Sequence, residues 1–458
     1  MSIRSYARRA RIRAISAAAI AGIALIAVAG CSSGGAASTS TGSATKGNIT
    51  WWGWSPEPGS ATEYIKAFNK VYPDIHVTFK QLQIAGYDAG LRPALASKVG
   101  PDVFDVAPGG GIGSVEEYYQ NASDLAPAVQ KSLGSDWKSK VAPIGIDSLT
   151  VKGKLTGLSV GSTFAGNLWI NQDIFDKYHL TPPTTLDEWA DVCKALATQK
   201  QGCFVQGAGQ VAFDQDTLQS IADSVKPGVW TAASKGDAKW TDPTIVQALT
   251  IWKKMFSNGI MNEGALGLQQ YPDANNAFLS GKYAMVMMGT WYMQYATESG
   301  ATAAVSAAGV ANAKPFNMIS IPFPDVAGNG NPPSMYGDSD YGLAVNAKSN
   351  NQAAAKTFVT WITTSKAGQQ VVGNVLTDIP SLNGVQPDWS NVELVDQGSQ
   401  QSNLQNLIKT TTTVKEPRLS LVSSQLQQAI GVAATSVAQG SASPQQAAAT
   451  LQSTAGGK

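Results

Sequence analysis

Histidine is nearly missing from this chain: His76 and His179 are the only two in 458 residues. A metal centre built on imidazoles has no ligands to draw on. Charge is scarce as well. Charged residues make up 14% and the formal net charge is +1, against roughly 25% charged residues in average soluble domains. Without a clustered positive footprint the chain has no electrostatic grip on nucleic acid. No G-x-x-x-x-G-K-S/T loop is present to cradle nucleotide phosphates, so no cofactor of that kind is expected. After residue 30 no run is long and apolar enough to span a bilayer. What is present is an apolar fraction of 43%, 45 glycines and a surplus of small polar residues. The length suits two or three domains with a large core.

The first residues read as an address. Arg4, Arg8, Arg9, Arg11 and Arg13 have no acid among them, and Ala14 to Gly30 follows as seventeen uncharged residues. A basic start, an apolar stretch and small residues at a cut site predict an export signal over residues 1–30. Seventeen residues fall short of the roughly 20 that a spanning helix needs. Val28-Ala29-Gly30-Cys31 resembles a bacterial lipobox, in which Cys31 is acylated and becomes the first residue of the mature chain. Residues 31–47 are small and polar and are expected to form a flexible lipidated tether. The expected location is the outer face of the cytoplasmic membrane, held by lipid alone, with the general and twin-arginine export routes both open.

Cys193 and Cys203 are the other cysteines. In an oxidising compartment they can close a loop worth about 2–3 kcal/mol. Two buried thiols are the alternative, because Cys193 lies on the apolar stripe Leu186, Trp189, Ala190, Cys193, Leu196. The body alternates strand and helix. Ile49 to Trp52 reads as a strand ending at Gly53, and Ser60-Ala61-Thr62-Glu63 as a capping box opening a helix that Pro73 stops. Ile75, Val77 and Phe79 alternate as a second strand, and Pro101 to Val106 gives a third before Gly109-Gly110-Gly111. This order predicts a parallel sheet with right-handed crossovers. A second set follows. It has a strand over Leu168 to Asn171, a helix opened by the box Thr185 to Glu188, a helix capped by Asp242, and a strand over Tyr283 to Met288. Tyr341 to Asn346 is one more strand.

Gly157-Leu158-Ser159-Val160-Gly161 fits the G-x-S-x-G turn of hydrolases, but no helical pattern starts at Ser159 and His179 is the only downstream histidine. Gly109 to Gly113 lacks dinucleotide spacing; it reads as a turn, or as a place where a ligand can approach the backbone. No pair of carboxylates stands out as the acid and base of a glycosidase. The aromatics say more. Trp51, Trp52, Trp54, Trp230, Trp291, Tyr292, Tyr336 and Tyr341 include several at strand ends or in Gly/Ser/Asp-rich loops, where open α/β sheets bind ligands. A flat ring offers an apolar face to the C–H side of a sugar, while nearby amides and acids meet its hydroxyls. Trp189 and Trp252 lie on helical stripes and are assigned to the core. Trp54 and Trp291 break glycine-bracketed strand ends and are assigned to a cleft.

A longer series of segments carries a resemblance. It begins with Trp51-Trp52-Gly53-Trp54, Pro73-Asp74-Ile75-His76-Val77, Gly100-Pro101-Asp102-Val103-Phe104 and Gly153-Lys154-Leu155-Thr156-Gly157. Leu168 to Phe175, Pro182 to Trp189, Phe278 to Met285 with Gly289-Thr290-Trp291, and Tyr341 to Asn346 continue it. In this order they resemble the extracellular solute-binding lipoproteins that feed sugar-importing ABC transporters, relatives of maltose-binding protein, over the whole mature body. The resemblance implies an α/β, two-lobed periplasmic-binding-protein-like fold of type II. Each lobe would be a mostly parallel sheet flanked by helices, with a ligand cleft between them. The N-terminal lobe would take residues 48–158 and about 325–383, and the C-terminal lobe about 159–324 and 384–458. The implied partners are a mono- or oligosaccharide and the permease subunits, for a monomeric binder with no catalytic residue and no metal.

The same resemblance implies the site. Trp54, Ser55 and Glu57 match the loop after the first strand that touches sugar hydroxyls. Thr163 and Phe164 match the first crossing between lobes, where relatives often keep an acid. Asp214 falls near a polar contact of the second lobe, and Trp291 matches the tryptophan that stacks on the ligand. Tyr341 stands where many relatives carry a second tryptophan, with Asp340 in place of a glycine. Gly109 sits where some relatives use an acidic side chain. Arg418, in Glu416-Pro417-Arg418, completes what the resemblance implies, and the distribution of aromatics alone adds Trp230 and Tyr292 as candidate cleft rings. Two other readings stay open: an exported glycoside or ester hydrolase, and a receptor of the same fold for a non-sugar solute.

Overall fold

Alternating apolar side chains decide how the first strand sits. Ile49 and Trp51 bury one face of β1 (Gly47–Gly53), which pairs in parallel with β2 (Ile75–Gln81) and β3 (Val103–Val106). The computed structural model that shows this describes residues 42–97, 99–309 and 313–455. The expected export signal and Cys31 lie outside the described residues. Residues 42–47 belong to the folded body rather than to the expected tether. The Gly42 N–H donates to Asn351 Oδ1 at 3.2 Å, and the Thr357 hydroxyl donates to Ala44 O at 2.8 Å. Backbone groups with such partners are not those of a free coil.

The helix Pro58–Asn69 buries Ala61, Tyr64 and Phe68 at helical spacing against this sheet. It starts ahead of the box expected at Ser60, because the fixed φ of Pro58 suits the first turn. Glu57, at the cap position, makes no capping bond. At Leu186–Thr198 the expected box does form, with Thr185 accepting from the Glu188 N–H. Cys193 on that helix is disulfide-bonded to Cys203, so the pair of free thiols is not realised.

The chain passes through β4 (Leu158–Ser159) and β5 (Gly161–Ala165) into β6 (Asn167–Asn171), β7 (Gly202–Val205), β8 (Tyr283–Met287) and β9 (Met318–Pro322). It returns by β10 (Tyr336–Ser339) and β11 (Gly342–Val345), then crosses again at β12 (Ile379–Pro380). The first sheet runs β2-β1-β3-β11-β4 and the second β9-β6-β8-β7, while β10-β5-β12 makes a third between them. Each large sheet is parallel except for one strand, β11 in the first and β6 in the second. Both follow directly on a crossing strand. The other strands run toward the crossing, so a chain arriving from it enters the sheet in the opposite sense. Trp51, Phe68, Tyr341 and Phe358 fill one core, and Trp189, Phe204, Trp252 and Met285 another. Among the described residues no helix is long and apolar enough to cross a membrane, and no group of His, Cys, Asp and Glu is placed to hold a metal ion.

Candidate functional site

Strands that end at one place deliver their loops there. Trp54, Ser55 and Glu57 follow β1, Gln81 and Gln83 leave β2, and Ala107, Pro108, Gly111 and Ile112 follow β3. Trp291, Gln294 and Tyr295 follow β8 on the opposite wall, with Tyr271 and Asn275 beside them. Asp340, between β10 and β11, and Arg418 complete a cavity of about 530 Å³. That is the size of an ordinary small-molecule site, roughly 300–1,000 Å³, outside the carboxyl ends of the strands.

The first wall is held by a buried acid. Asp105 on β3 accepts from Trp51 Nε1 at 2.8 Å and from the Ser55 N–H at 3.2 Å. Burial pushes its carboxyl well above the ordinary range, and these donors oppose that rise. A Cβ on Gly53 would lie 2.3 Å from Asp105 Oδ2, so the close passage of the β1 end requires glycine. Trp54, half-buried, stands edge-on to Tyr87 with ring centroids 4.8 Å apart.

The second wall is held by an arginine. Arg418 donates from Nε and Nη2 to the two oxygens of Asp216 at 2.8 and 2.7 Å, and its guanidinium carbon lies 4.6 Å from the Trp291 ring centroid. Burial lifts the Asp216 carboxyl while the guanidinium pulls it back. Asp338 on β10 accepts from the N–H groups of Arg418 and Ser420 at 3.2 and 2.9 Å and so sets the loop that carries the arginine. Trp291 Nε1 donates to the Tyr271 hydroxyl at 3.1 Å. Several contacts join the two walls. Glu57 accepts from the Tyr295 hydroxyl at 3.1 Å while its other oxygen takes Gln81 Nε2 at 3.1 Å. Elsewhere the Gly110 N–H donates to Val422 O at 2.9 Å, and the Ser424 hydroxyl donates to Gly110 O.

Six of the residues singled out in the sequence therefore meet at this cavity: Trp54, Ser55, Glu57, Trp291, Asp340 and Arg418. The other seven are placed elsewhere by the packing of their own elements. Gly109, with φ +74°, is where the β3 loop meets the backbone of Leu419; a Cβ there would lie 2.2 Å from Leu419 O. Thr163 is buried on β5 beside the Thr290 hydroxyl, and Phe164 lies against Gly337 of β10. Asp214 is buried on its helix and accepts from Gln206 Nε2 at 3.0 Å; burial holds its carboxyl well above the usual range. Trp230 packs edge-on against Trp240 in a core. Tyr292 donates to Asn275 Oδ1 at 3.0 Å from a buried position, and Tyr341 is buried behind Trp54. Gln81, Gln83, Tyr271, Asn275, Gln294 and Tyr295 were not anticipated. The first two had a usable signal, since Gln81 ends β2 and Gln83 follows it, alongside the strand whose end leads into Trp54.

A family model described as bacterial extracellular solute-binding protein matches residues 52–369. The galactooligosaccharide-binding protein of Bacillus subtilis is 24% identical over 267 residues, which is 56% of this chain and 59% of that protein. The chain spans little more than half the length of the curated relatives it matches. A solved structure described for xylan utilization by Caldanaerobius polysaccharolyticus superposes with a TM-score of 0.70 at 21% identity, covering 89% of this chain and 99% of that one. The ABC substrate-binding protein of Listeria monocytogenes in complex with cycloalternan gives 0.68 at 18% identity, with 90% and 98% covered. At these identities the structural likeness establishes the two-lobed fold.

Proposed function

We propose a function from one premise: the chain belongs to the bacterial extracellular solute-binding proteins. It captures a sugar or oligosaccharide outside the cell and delivers it, chemically unaltered, to the permease subunits of an ABC transporter. The observation that carries this reading is the cavity itself. The indoles of Trp54 and Trp291 line it together with amides, hydroxyls and two carboxylates, and its guanidinium is engaged by Asp216. Rings and neutral donors of this kind suit a hydroxyl-rich guest, because each hydroxyl-specific bond leaves a buried group unpaired when an analogue lacks it. The names of relatives agree, one for galactooligosaccharides and one holding cycloalternan.

The rest of the proposal follows from this. Residues 1–30 direct export, acylated Cys31 anchors the monomer at the outer face of the cytoplasmic membrane, and the residues after it serve as the tether. The lobes, 48–158 with about 325–383 and about 159–324 with 384–458, rotate about β5, β10 and β12. An open form takes the saccharide on one lobe, closure buries it, and the permease recognises the closed form. The guest moves this equilibrium only by its differential affinity for the closed state. The hydrolase reading draws no support from Ser159, which is buried on β4 and donates to Gly161 O at 2.9 Å. A receptor for an anionic solute would need a charge partner that Arg418, engaged by Asp216, does not offer.

Thermal-shift measurements against a panel of neutral mono- and oligosaccharides test the reading. At least one is expected to raise the Tm, by about 2.7 kcal/mol of added stability at a hundredfold excess over Kd, and to be recovered unchanged. A panel without any shift, or the release of hydrolysis products, refutes it.

A further inference from the structure

Asp340 does not stand alone at the cavity wall. It follows β10, Asp378 precedes β12, and β5 runs between those two strands. The Asp340 N–H donates to Gly161 O at 3.0 Å, and a Cβ on Gly161 would lie 2.4 Å from Asp378 Cβ. Both residues thus lie against Gly161, and their carboxyl groups act directly on one another there. Asp340 opens on the cavity. Asp378 is 2% exposed, with the neighbouring Thr377 hydroxyl opposing the rise that burial gives its carboxyl.

Two carboxylates are acceptors only, so their contact is attractive only with a proton between them. The surroundings push the same way. Asp105 on β3 adds a third, fully buried carboxyl, which strengthens the hold of Asp378 on a proton, as Asp340 does that of Asp105. Tyr64 of the helix Pro58–Asn69, Tyr341 ahead of β11 and Tyr271 face the pair as phenols that burial keeps neutral. The Tyr64 hydroxyl is bonded to that of Thr377, and Glu57 lies beyond Tyr271. Among the described residues the cation facing the pair is Arg418, and Asp216 engages it from two sides.

We propose that Asp340 and Asp378 share one proton in the ligand-free protein and that capture of the guest draws a second proton onto Asp340, so that the site is tuned by pH. This rests on the sugar-capture reading. A guest lying over Asp340 removes water from its cavity side, and desolvation favours the neutral form. The pair can then offer an O–H to a ring or hydroxyl oxygen, where Glu57 can only accept. Without the guest, burial already pushes the Asp340 carboxyl up to about 6, with Arg418 and Asp378 holding it down. Cover by the guest raises it further. A group whose pKa is higher in the bound state strengthens binding below its free-state value, and the gain is lost as pH rises through the bound-state value. Affinity therefore falls as pH climbs above about 6, by as much as about tenfold per pH unit where a full proton is taken up.

Two measurements on the full chain decide this. Infrared difference spectra of the ligand-free protein at about pH 7, wild type against Asp378→Asn, read the pair without any sugar; a protonated-carboxyl band that the variant loses is expected. Calorimetric titration with a saccharide from the thermal-shift panel follows, in two buffers of different ionisation enthalpy. A buffer-dependent enthalpy, absent in Asp378→Asn, is expected, and the wild-type pH series alone decides the coupling if that variant does not fold. A missing infrared band refutes the shared proton. Binding with buffer-independent enthalpy and an affinity flat from about pH 5.5 to about pH 8 refutes the coupling. Failure of every saccharide to bind refutes the sugar reading and the coupling together, while the infrared result still decides the pair.

Discussion

The cavity's two tryptophans are held on unequal terms. Trp54 is half-buried, with one edge against Tyr87. Trp291 is 9% exposed, lies under the Arg418 guanidinium and donates to Tyr271. Trp54→Ala is expected to weaken saccharide binding at least about tenfold, or 1.4 kcal/mol, while the Tm moves little. Trp291→Ala is expected to lose affinity and also stability, up to about 3–5 kcal/mol for a truncated core tryptophan. Calorimetry paired with urea melts separates the two; equal losses of stability would place both rings in the core. Both positions were legible, because a strand that ends at glycine must hand its next side chain to the loop. Trp230 was not separable from them. It also follows a glycine, Gly228, but the helix Val229–Lys235 turns its ring onto Trp240. Seven residues are too few for a periodic pattern to say which face points inward. Asp378 gave no signal at all, since only the fold of β10, β5 and β12 brings it beside Asp340.

Among the elements, the helix Leu186–Thr198 and β7 are tied by the Cys193–Cys203 bond across a separation of 10 residues. Closing a loop of that length contributes about 2–3 kcal/mol through the unfolded chain. Replacing both cysteines with serine is expected to lower the Tm by several degrees and leave saccharide affinity unchanged, because the bond sits in a core rather than at the cavity. A Tm that does not move would show the bond to be idle. The caps at Thr185 and Asp242 could be read directly, since their side chains bond the N–H groups that the pattern names. The crossing strands could not. β10 reads Tyr-Gly-Asp-Ser and is buried throughout, with Asp338 occupied by the Arg418 loop. A strand whose surroundings are two lobes rather than a core and solvent has no apolar alternation to display.

For the whole molecule, the order of strands and helices announced two lobes, but nothing local announced what holds them together. The Glu57–Tyr295 bond and the contacts of Gly110 with Val422 and Ser424 join the two walls outside the crossing strands. Glu57 was read as a sugar contact and Tyr295 not at all, because their pairing depends on the relative placement of two sheets. Each such contact exists only while the walls face one another, so each favours the closed form. A hydrogen bond to a charged group contributes about 1.5–3 kcal/mol, enough to move a two-state population about ten- to a hundredfold. Tyr295→Phe removes the hydroxyl and keeps the ring, whose centroid lies 4.8 Å from that of Tyr292. The ligand-free variant is expected to expand in small-angle scattering and to bind saccharide about tenfold more weakly or worse. At saturation its shape should return to that of the wild type, because the guest then supplies the contacts that favour closure. Scattering identical to wild type without ligand would leave closure to the crossing strands and the guest alone.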